Sequence, residues 1–449
     1  MSSAATAPAP TPESPATSAG LPRVLAGVSP HGAMGLDEHT ELHGALPEQP
    51  RRRRRSEPAL ISQVEQAGLL GRGGGGFPLS RKLRSVMDAG RRAVVVINAA
   101  EGEPASLKDR TLMQSLPHLV LDGGELAALA LGAEEVIVCV CSSAPASAGS
   151  AAAAIAERRG GSSPRLRLQT VPSHYLSGQE SALVSYLNGA PALPTFAPPL
   201  PFERGVGRRP TLVSNAETLA HLALLARHGP AWFRALGTPS QPGSALVTLS
   251  GPVARPGVYE IEYGAPLSSL IEAAGGATDA VQGALVGGYA GSWIGAELLP
   301  TLALSDEHLA PHGATLGAGV VLLLSAQACP VAETARVARW LASQSSGQCG
   351  PCVNGLGAIA AMVGEIACGA APAQAERRIA HLASLVRGRG ACAHPDGAAE
   401  FVLSAAETFA AQFAEHARGG SCQACLEEPE MPLPGVPAAQ GRGSGSSYR

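Results

Sequence analysis

An α/β unit with a parallel sheet, followed by a small α+β module and a helical segment, is the fold class this sequence predicts. Three observations predict it. β-Branched runs alternate with helical stretches between residues 93 and 172. From about residue 245 the texture changes to short strands punctuated by PG and YG. From about 328 to 416 nearly every stretch carries apolar residues at helical spacing.

In order, PALISQVEQAGLL reads as a helix broken by GRGGGGFP. RAVVVINAA is a strand, SLPHLVLDGGELAALALG a helix, EEVIVCVC a strand, ASAGSAAAAIAERR a helix and RLRLQTVP a third strand. This βαβαβ alternation implies a buried parallel sheet. SNAE, Ser214 to Glu217, reads as a capping box that opens a helix through TLAHLALLARHG. ALVTLSGPVARPGVYEIEYGAPLSSLIEAAGG gives short strands and then a helix. VAETARVARWLASQ, LGAIAAMVGEIA, AERRIAHLASLVRG and AEFVLSAAETFAAQFAEHA are four further helices. The expected boundaries are a disordered arm and Arg-rich linker at 1–57, an α/β domain at 58–240, a small module at 241–327, a helical domain at 328–420 and a flexible tail at 421–449.

Hydrophobic residues make up 45% of the 449 and charged residues 15%, enough for a real core spread over about three domains. A net charge of −3 with 4% aromatics argues against nucleic acid as a partner. The basic run Arg51 to Arg55 reads as a solvated linker, with an electrostatic tether as the alternative. The opening MSSAATAPAPTPESPATSAG is a low-complexity arm rather than a signal peptide. No apolar run reaches the roughly 18 residues that a membrane span needs. Nine cysteines without a secretion signal suit a reducing, cytoplasmic setting, where thiols bind metal or stay free.

Four consecutive glycines follow Arg72, and Gly71, Gly73 and Gly76 spell G-x-G-x-x-G. A helix rather than a strand precedes them, so the standard dinucleotide fingerprint fits poorly. The loop still lets backbone amides crowd a phosphate or a flat ring, with Arg72 and Lys82 adding positive charge. Glu101 and Glu103 follow the first strand at the sheet edge where ligands bind, and two acids one residue apart on extended chain point the same way. YLSGQES, Tyr175 to Ser181, adds an aromatic, a glycine and Glu180 after the third strand. Near residue 344, QSSGQCGPC holds Cys349-x-x-Cys352, with Ser346 where a third cysteine would complete C-x-x-C-x-x-C. Cys422-Gln-Ala-Cys425 is a second C-x-x-C, which reads as a distant ligand, a second metal site or part of the tail. Cys139 and Cys141 read as packing residues and Cys329 and Cys368 as structural ones. No two histidines show ligand spacing, and His394 alone lies near a candidate site.

GLLGRGGGGFP, NAAEGEPASLKDR, YLSGQESAL, PTLVSNAETLA, SGPVARPGVYE and SSGQCGPC occur in this order. Over about residues 60 to 425 the chain resembles the 51-kDa-type flavin- and NADH-binding subunit of respiratory complex I and its relatives in NAD-reducing hydrogenases and formate dehydrogenases. The resemblance implies a Rossmann-like FMN-binding domain, a ubiquitin-like β-grasp (SLBB-type) module and a helical bundle holding a 4Fe–4S cluster. For FMN it implies Gly71, Arg72, Gly73, Gly74, Gly75, Gly76, Lys82, Asn98, Glu101, Glu103, Gly178, Glu180, Asn215 and Thr218. The departures are Ala100 for aspartate, Gln179 for glutamate and Ser214 for asparagine, with Ser214 still able to cap its helix. For NADH it implies Phe77, Glu103, Tyr175 and Glu180. Two adenine-stacking phenylalanine positions read Ser85 and Leu200, and a lysine position reads Ala197. Since stacking on an aromatic ring contributes ~1–3 kcal/mol, NADH is expected to bind weakly or another carrier to serve.

For the cluster the resemblance implies Ser346, Cys349, Cys352 and Cys392. Serine is a harder and less acidic ligand than cysteine. Four outcomes stay open: a 4Fe–4S cluster with serine or an outside ligand, a cuboidal cluster lacking one iron, no cluster, or zinc. The expected activity is FMN-dependent electron transfer between NAD(P)H or another soluble donor and an iron–sulfur acceptor such as a ferredoxin. The expected setting is a stand-alone relative or a member of a hetero-oligomer. The alternative is a relative that binds flavin or scaffolds a partner without turnover.

Overall fold

The computed structural model describes residues 20–29, 32–48, 58–90, 92–158, 164–420, 422, 425 and 429–434. Arg51 to Arg55 therefore lie outside the described residues. Helices α1 (Leu36–His43), α2 (Ala59–Ala67) and α3 (Leu79–Ala89) precede a sheet of β1 (Val94–Ala99), β2 (Glu135–Cys141), β3 (Arg165–Val171) and β4 (Thr211–Asn215). All pairings are parallel and the order is β3-β2-β1-β4. Between strands run α4 (Lys108–Ser115), α5 (Pro117–Leu131), α6 (Pro145–Glu157), α7 (Glu180–Leu187) and the short α8 (Pro201–Arg204), and α9 (Ala216–Arg234) follows β4. The runs VVVINA and EVIVCVC are almost wholly buried, as strands covered on both faces require. Cys139 and Cys141 are buried among them, as expected.

The sheet holds one strand more than the sequence reading supplies. TLVSN is too short, between Pro210 and the next helix, to show periodicity, yet it pairs with β1 from Val94↔Thr211 to Asn98↔Asn215. Ser214 consequently lies in β4, and the helix cap is Asn215, whose side chain accepts from the Glu217 amide at 3.0 Å. The expected Ser214 cap is thereby corrected. Because β2 and β3 lie on one side of β1 and β4 on the other, the strand order reverses between β1 and β4. In open parallel sheets such a switch point opens a crevice at the strands' carboxyl ends.

The second sheet, β6-β5-β9-β7-β8, comprises β5 (Ser244–Ser250), β6 (Gly257–Glu262), β7 (Val281–Val286), β8 (Ser292–Gly295) and β9 (Val320–Ser325). β5 and β9 pair in parallel and the other neighbours antiparallel, with α10 (Leu267–Ala273) across one face. That is the β-grasp arrangement. Along β9, Val321 and Leu323 join the core with α10, while Val320, Leu322 and Leu324 join the helices that follow. After the short α11 (Asp306–Leu309), those helices are α12 (Pro330–Ser343), α13 (Leu356–Ala367), α14 (Ala375–Val386), α15 (His394–Thr408) and α16 (Ala410–Ala417).

Two expectations of disorder are corrected. Within 1–57, residues 20–29 and 32–48 are described and carry α1, and Val24, Leu25 and Met34 join the core of the first domain. The buried carboxylate of Glu260 on β6 accepts from the amides of Arg23, Val24 and Leu25 at 2.7, 2.8 and 3.1 Å, and the Arg23 guanidinium lies over the Trp232 ring at 3.9 Å. Within 421–449, residues 429–434 dock. Met431 is buried, the Glu430 amide donates to Glu333 at 2.7 Å, and the Tyr289 hydroxyl donates to the Pro432 carbonyl. In both places a few apolar side chains supply the anchor that low-complexity flanks conceal.

Candidate functional site

A cleft of about 450 Å³ opens at the β1/β4 switch point, within the ordinary range for small-molecule sites. The register that pairs Asn98 with Asn215 brings both amides to its floor. Gly71, Gly73, Gly75 and Gly76 form one wall, with Lys82, Gly178, Glu180 and Thr218 around them. The loop is shaped for close backbone approach. A Cβ at Gly73 would stand 3.3 Å from Asn215 Cβ, and one at Gly178 only 2.4 Å from the Ala100 carbonyl. Gly74 and Gly76 adopt φ of +101° and +57°. Asn98 donates to the Gly178 carbonyl at 2.7 Å and accepts from the Ala100 amide at 3.2 Å, locking the end of β1 to the turn before α7. That contact runs through the backbone of residue 100, which alanine supplies as well as aspartate. Gln179 caps α7 by accepting from Ala182 at 2.9 Å, and Lys82 meets Glu180 at 3.0 Å and the Val213 carbonyl at 3.1 Å.

Four expected contacts fall elsewhere. The Arg72 side chain is buried under the loop, donating to the Ser244 carbonyl at 3.0 Å, lying 3.9 Å from Glu217 and stacking on Tyr263. Only its backbone serves the loop, through the Arg72 amide on Thr218 at 2.8 Å, so the cleft's cation is Lys82. Glu101 and Glu103 do not point the same way, because β1 ends at Ala99 and both acids lie in the loop beyond it, where the Glu103 carbonyl accepts from the Ser106 amide in a turn. Glu101 accepts from Ser106 at 2.6 Å and from the amides of Asp109 and Arg110, capping α4. Glu103 reaches the β-grasp module, accepting from the Tyr289 amide at 2.9 Å and the Ala105 amide at 3.2 Å. Burial pushes its carboxyl up to about 7, against those amides and the Tyr175 hydroxyl bonded to it. Tyr175 is turned away from the cleft, its ring edge-on to Trp340 at 5.3 Å and 5.4 Å from His394.

On the dinucleotide side, Phe77 and Leu200 stand exposed at the cleft, with Ser85 behind them. Phe202, two residues beyond Leu200, lines the same cleft. Sequence reasoning missed it; an aromatic inside APPLPF was the available signal. The apolar surface near Phe77 is therefore less depleted than the substitutions at 85 and 200 imply.

Tyr175 also carries the chain to the sulfur end, since its amide donates to the Gln344 side chain at 3.1 Å, two residues before Ser346. Cys349, Cys352 and Cys392 come together there. Cys352 hydrogen-bonds with Cys349, and both raise the pKa of Cys392, for which burial is the larger cause. Backbone amides donate to two of these sulfurs, Ser346 to Cys352 and His394 to Cys392, and the Ser345 hydroxyl also donates to Cys352. Amide-to-sulfur bonds of this kind stabilise thiolate ligands of iron–sulfur clusters. Three sulfurs with Ser346 at their margin fit an iron–sulfur group that lacks one thiolate. His394 Nε2 lies 3.0 Å from the Leu341 carbonyl, and the ring packs against Tyr175. Among the described residues no helix is long and apolar enough to cross a membrane.

Residues 64–224 match the Nuo51 FMN-binding domain, 246–288 an SLBB domain and 332–416 the NADH-ubiquinone oxidoreductase-F iron–sulfur binding region. The chain is 30% identical over 382 residues to NADH-quinone oxidoreductase F-subunit 2 of Rhizobium meliloti (strain 1021), covering 81% of this chain and 90% of that one. With the NADH-quinone oxidoreductase F-subunit of Mycobacterium tuberculosis (strain H37Rv) it shares 31% over 389 residues, covering 81% and 85%. A crystal structure of NAD+-reducing [NiFe]-hydrogenase in the H2-reduced state superposes with a TM-score of 0.74 at 33% identity, over 80% of this chain and 62% of that one. The chain thus spans under two thirds of the hydrogenase chain.

Proposed function

Because this chain belongs to the F-subunit family of NADH-quinone oxidoreductases, we propose that its switch-point cleft holds FMN and admits NADH over Phe77, Leu200 and Phe202. The protein is a flavin-dependent oxidoreductase working between NADH and an iron–sulfur group. The observation that carries the assignment is the convergence of the glycine wall, Asn98, Asn215, Lys82 and Glu180 on one cleft at the reversal of strand order.

Bound in this cleft, FMN would supply the exchange between hydride and single-electron transfer. The chain's own part is positional. Gly73, Gly75 and Gly76 bring bare backbone against the ligand, and Lys82 presents the one cation that faces the cleft among its lining residues. Asn98 and Asn215 offer amides from paired strand ends, and Glu180, held by Lys82, accepts from hydroxyls. Tyr175 and Gln344 join the cleft's rim to the sulfur end. Cys349, Cys352 and Cys392, with Ser346, would hold the iron–sulfur group. The family's members include subunits of larger oxidoreductases, and for this chain we infer a soluble electron-transfer partner, a ferredoxin or a sister subunit, in the cytoplasm where thiols stay reduced.

The test uses anaerobically purified full-length protein. It should quench the fluorescence of one equivalent of FMN, bleach on adding NADH, and contain iron and acid-labile sulfide. A folded protein that binds no FMN when supplied in excess overturns the assignment.

A further inference from the structure

We propose that a second metal centre, binding a single zinc ion, is formed by Cys329, His416, Cys422 and Cys425, apart from the Cys349 group. Their four ligand atoms lie within 4.8 Å of one another. The Cys422 and Cys425 sulfurs are 3.3 Å apart, Cys425 is 3.4 Å from Cys329, and His416 Nε2 lies 3.6 Å from Cys329 and 3.8 Å from Cys425. Tetrahedral zinc with Zn–S of about 2.3 Å sets its ligand sulfurs about 3.7 Å apart. The observed separations fit one ion. They are too long for a disulfide, whose sulfurs stand about 2.05 Å apart. They are too short for a cubane, in which each sulfur serves a different iron.

The surroundings prepare each ligand. His416 is 1% exposed, and its Nδ1 lies 3.2 Å from the Ala367 carbonyl. That contact fixes the tautomer with the proton on Nδ1 and leaves the Nε2 lone pair facing the three sulfurs. Cys329, 3% exposed, replaces the usual oxygen at the amino cap of α12, its sulfur accepting from the Ala332 amide at 3.3 Å. Its place at the start of a fourteen-residue helix sets the sulfur beside backbone amides that lack an intrahelical partner. Three thiolates and one imidazole form a closed set typical of structural zinc, with no position left for substrate.

The ion would tie a tail to a body. Cys422 and Cys425 lie beyond the helical domain, whereas Cys329 opens it, and residues 429–434 run on to Glu333, Arg336 and Tyr289. Zinc binding would therefore contribute folding energy to that closure. Tyr289 in turn donates its amide to Glu103, so the closure ends against the module that borders the flavin domain.

Metal analysis of the full chain purified without chelators tests this. The expected result is about one zinc per chain, retained in the Cys349→Ala, Cys352→Ala double variant and lost in Cys422→Ser, Cys425→Ser. Zinc-edge X-ray absorption on the unmodified protein should show three sulfurs and one nitrogen, a readout that needs no variant to fold. Cobalt exchanged into the site should give the visible bands of tetrahedral thiolate coordination, and zinc removal should speed protease cleavage beyond His416. Zinc far below one per chain after reductive loading, iron in its place, or zinc unchanged in the Cys422→Ser, Cys425→Ser protein each overturns the proposal. Flavin binding is independent of these readouts, so failure here leaves the proposed function intact.

Discussion

The sheet domain and the helical domain absorb sequence change in opposite ways. Around the cleft, Ala100, Gln179 and Ser214 depart from the family pattern at little structural cost. Residue 100 contributes its backbone, Gln179 caps α7, and Ser214 is one rung of β4. Recognition by main-chain amides tolerates side-chain drift. At the sulfur end the chemistry belongs to individual side chains, and one exchange, serine at 346, puts a harder oxygen where a thiolate would stand. The same domain also brings together the four side chains proposed above for zinc, Cys329, His416, Cys422 and Cys425. What the comparison teaches is physical: a backbone cradle tolerates side-chain change, whereas a ligand set depends on every side chain in it.

The largest effects should come from crossing the two sulfur groups. Cys352→Ala should remove most iron while leaving zinc, and Cys422→Ser, Cys425→Ser the reverse, both read by metal analysis; joint loss of the two metals would merge the sites and break the comparison. Next, Gly178→Ala places a methyl 2.4 Å from the Ala100 carbonyl. At ~1–3 kcal/mol for overpacking, FMN affinity measured by fluorescence titration should fall about tenfold or more. An unchanged affinity would mean that the cradle is looser than drawn. Ser346→Cys should restore the fourth thiolate and slow loss of the iron–sulfur absorbance in air several-fold. Leu200→Phe adds a ring beside Phe77 and Phe202, and at ~1–3 kcal/mol per stacked base the NADH concentration that half-bleaches the flavin should drop about tenfold.

The smallest effect concerns pH. Glu103 has a folded pKa raised to about 7 by burial, so its contribution to stability is full below the ordinary carboxyl range and is lost as pH rises through about 7. Glu103→Gln lacks that titration. Its melting temperature relative to the parent should therefore be higher at pH 8 than at pH 5, and a flat difference would show that Glu103 does not titrate there.

Much of this was legible in the sequence because the strong signals are local. β1 and β2 declare themselves by unbroken β-branched runs, the glycine loop by composition, and Cys349-x-x-Cys352 by spacing. What escaped is long-range. β4 is five residues and visible only through its pairing with Asn98. Arg72 looked like a ligand cation because sequence shows charge but not direction, and the buried acid Glu217 turned it inward. Cys329 read as structural and His416 was not singled out, because 87 positions separate them and no spacing rule spans that gap. Glu101 and Glu103 parted company because β1 ends at Ala99, sooner than alternation assumed.

The grip of Glu260 on the amides of residues 23, 24 and 25 has a practical outcome. Trimming everything ahead of residue 58 would look harmless on compositional grounds. It would take three donors from a carboxylate only 1% exposed, leaving that group to Ser244 and its remaining neighbours. The leader is a brace across two modules, and their mutual pose is written partly in a stretch that looks expendable.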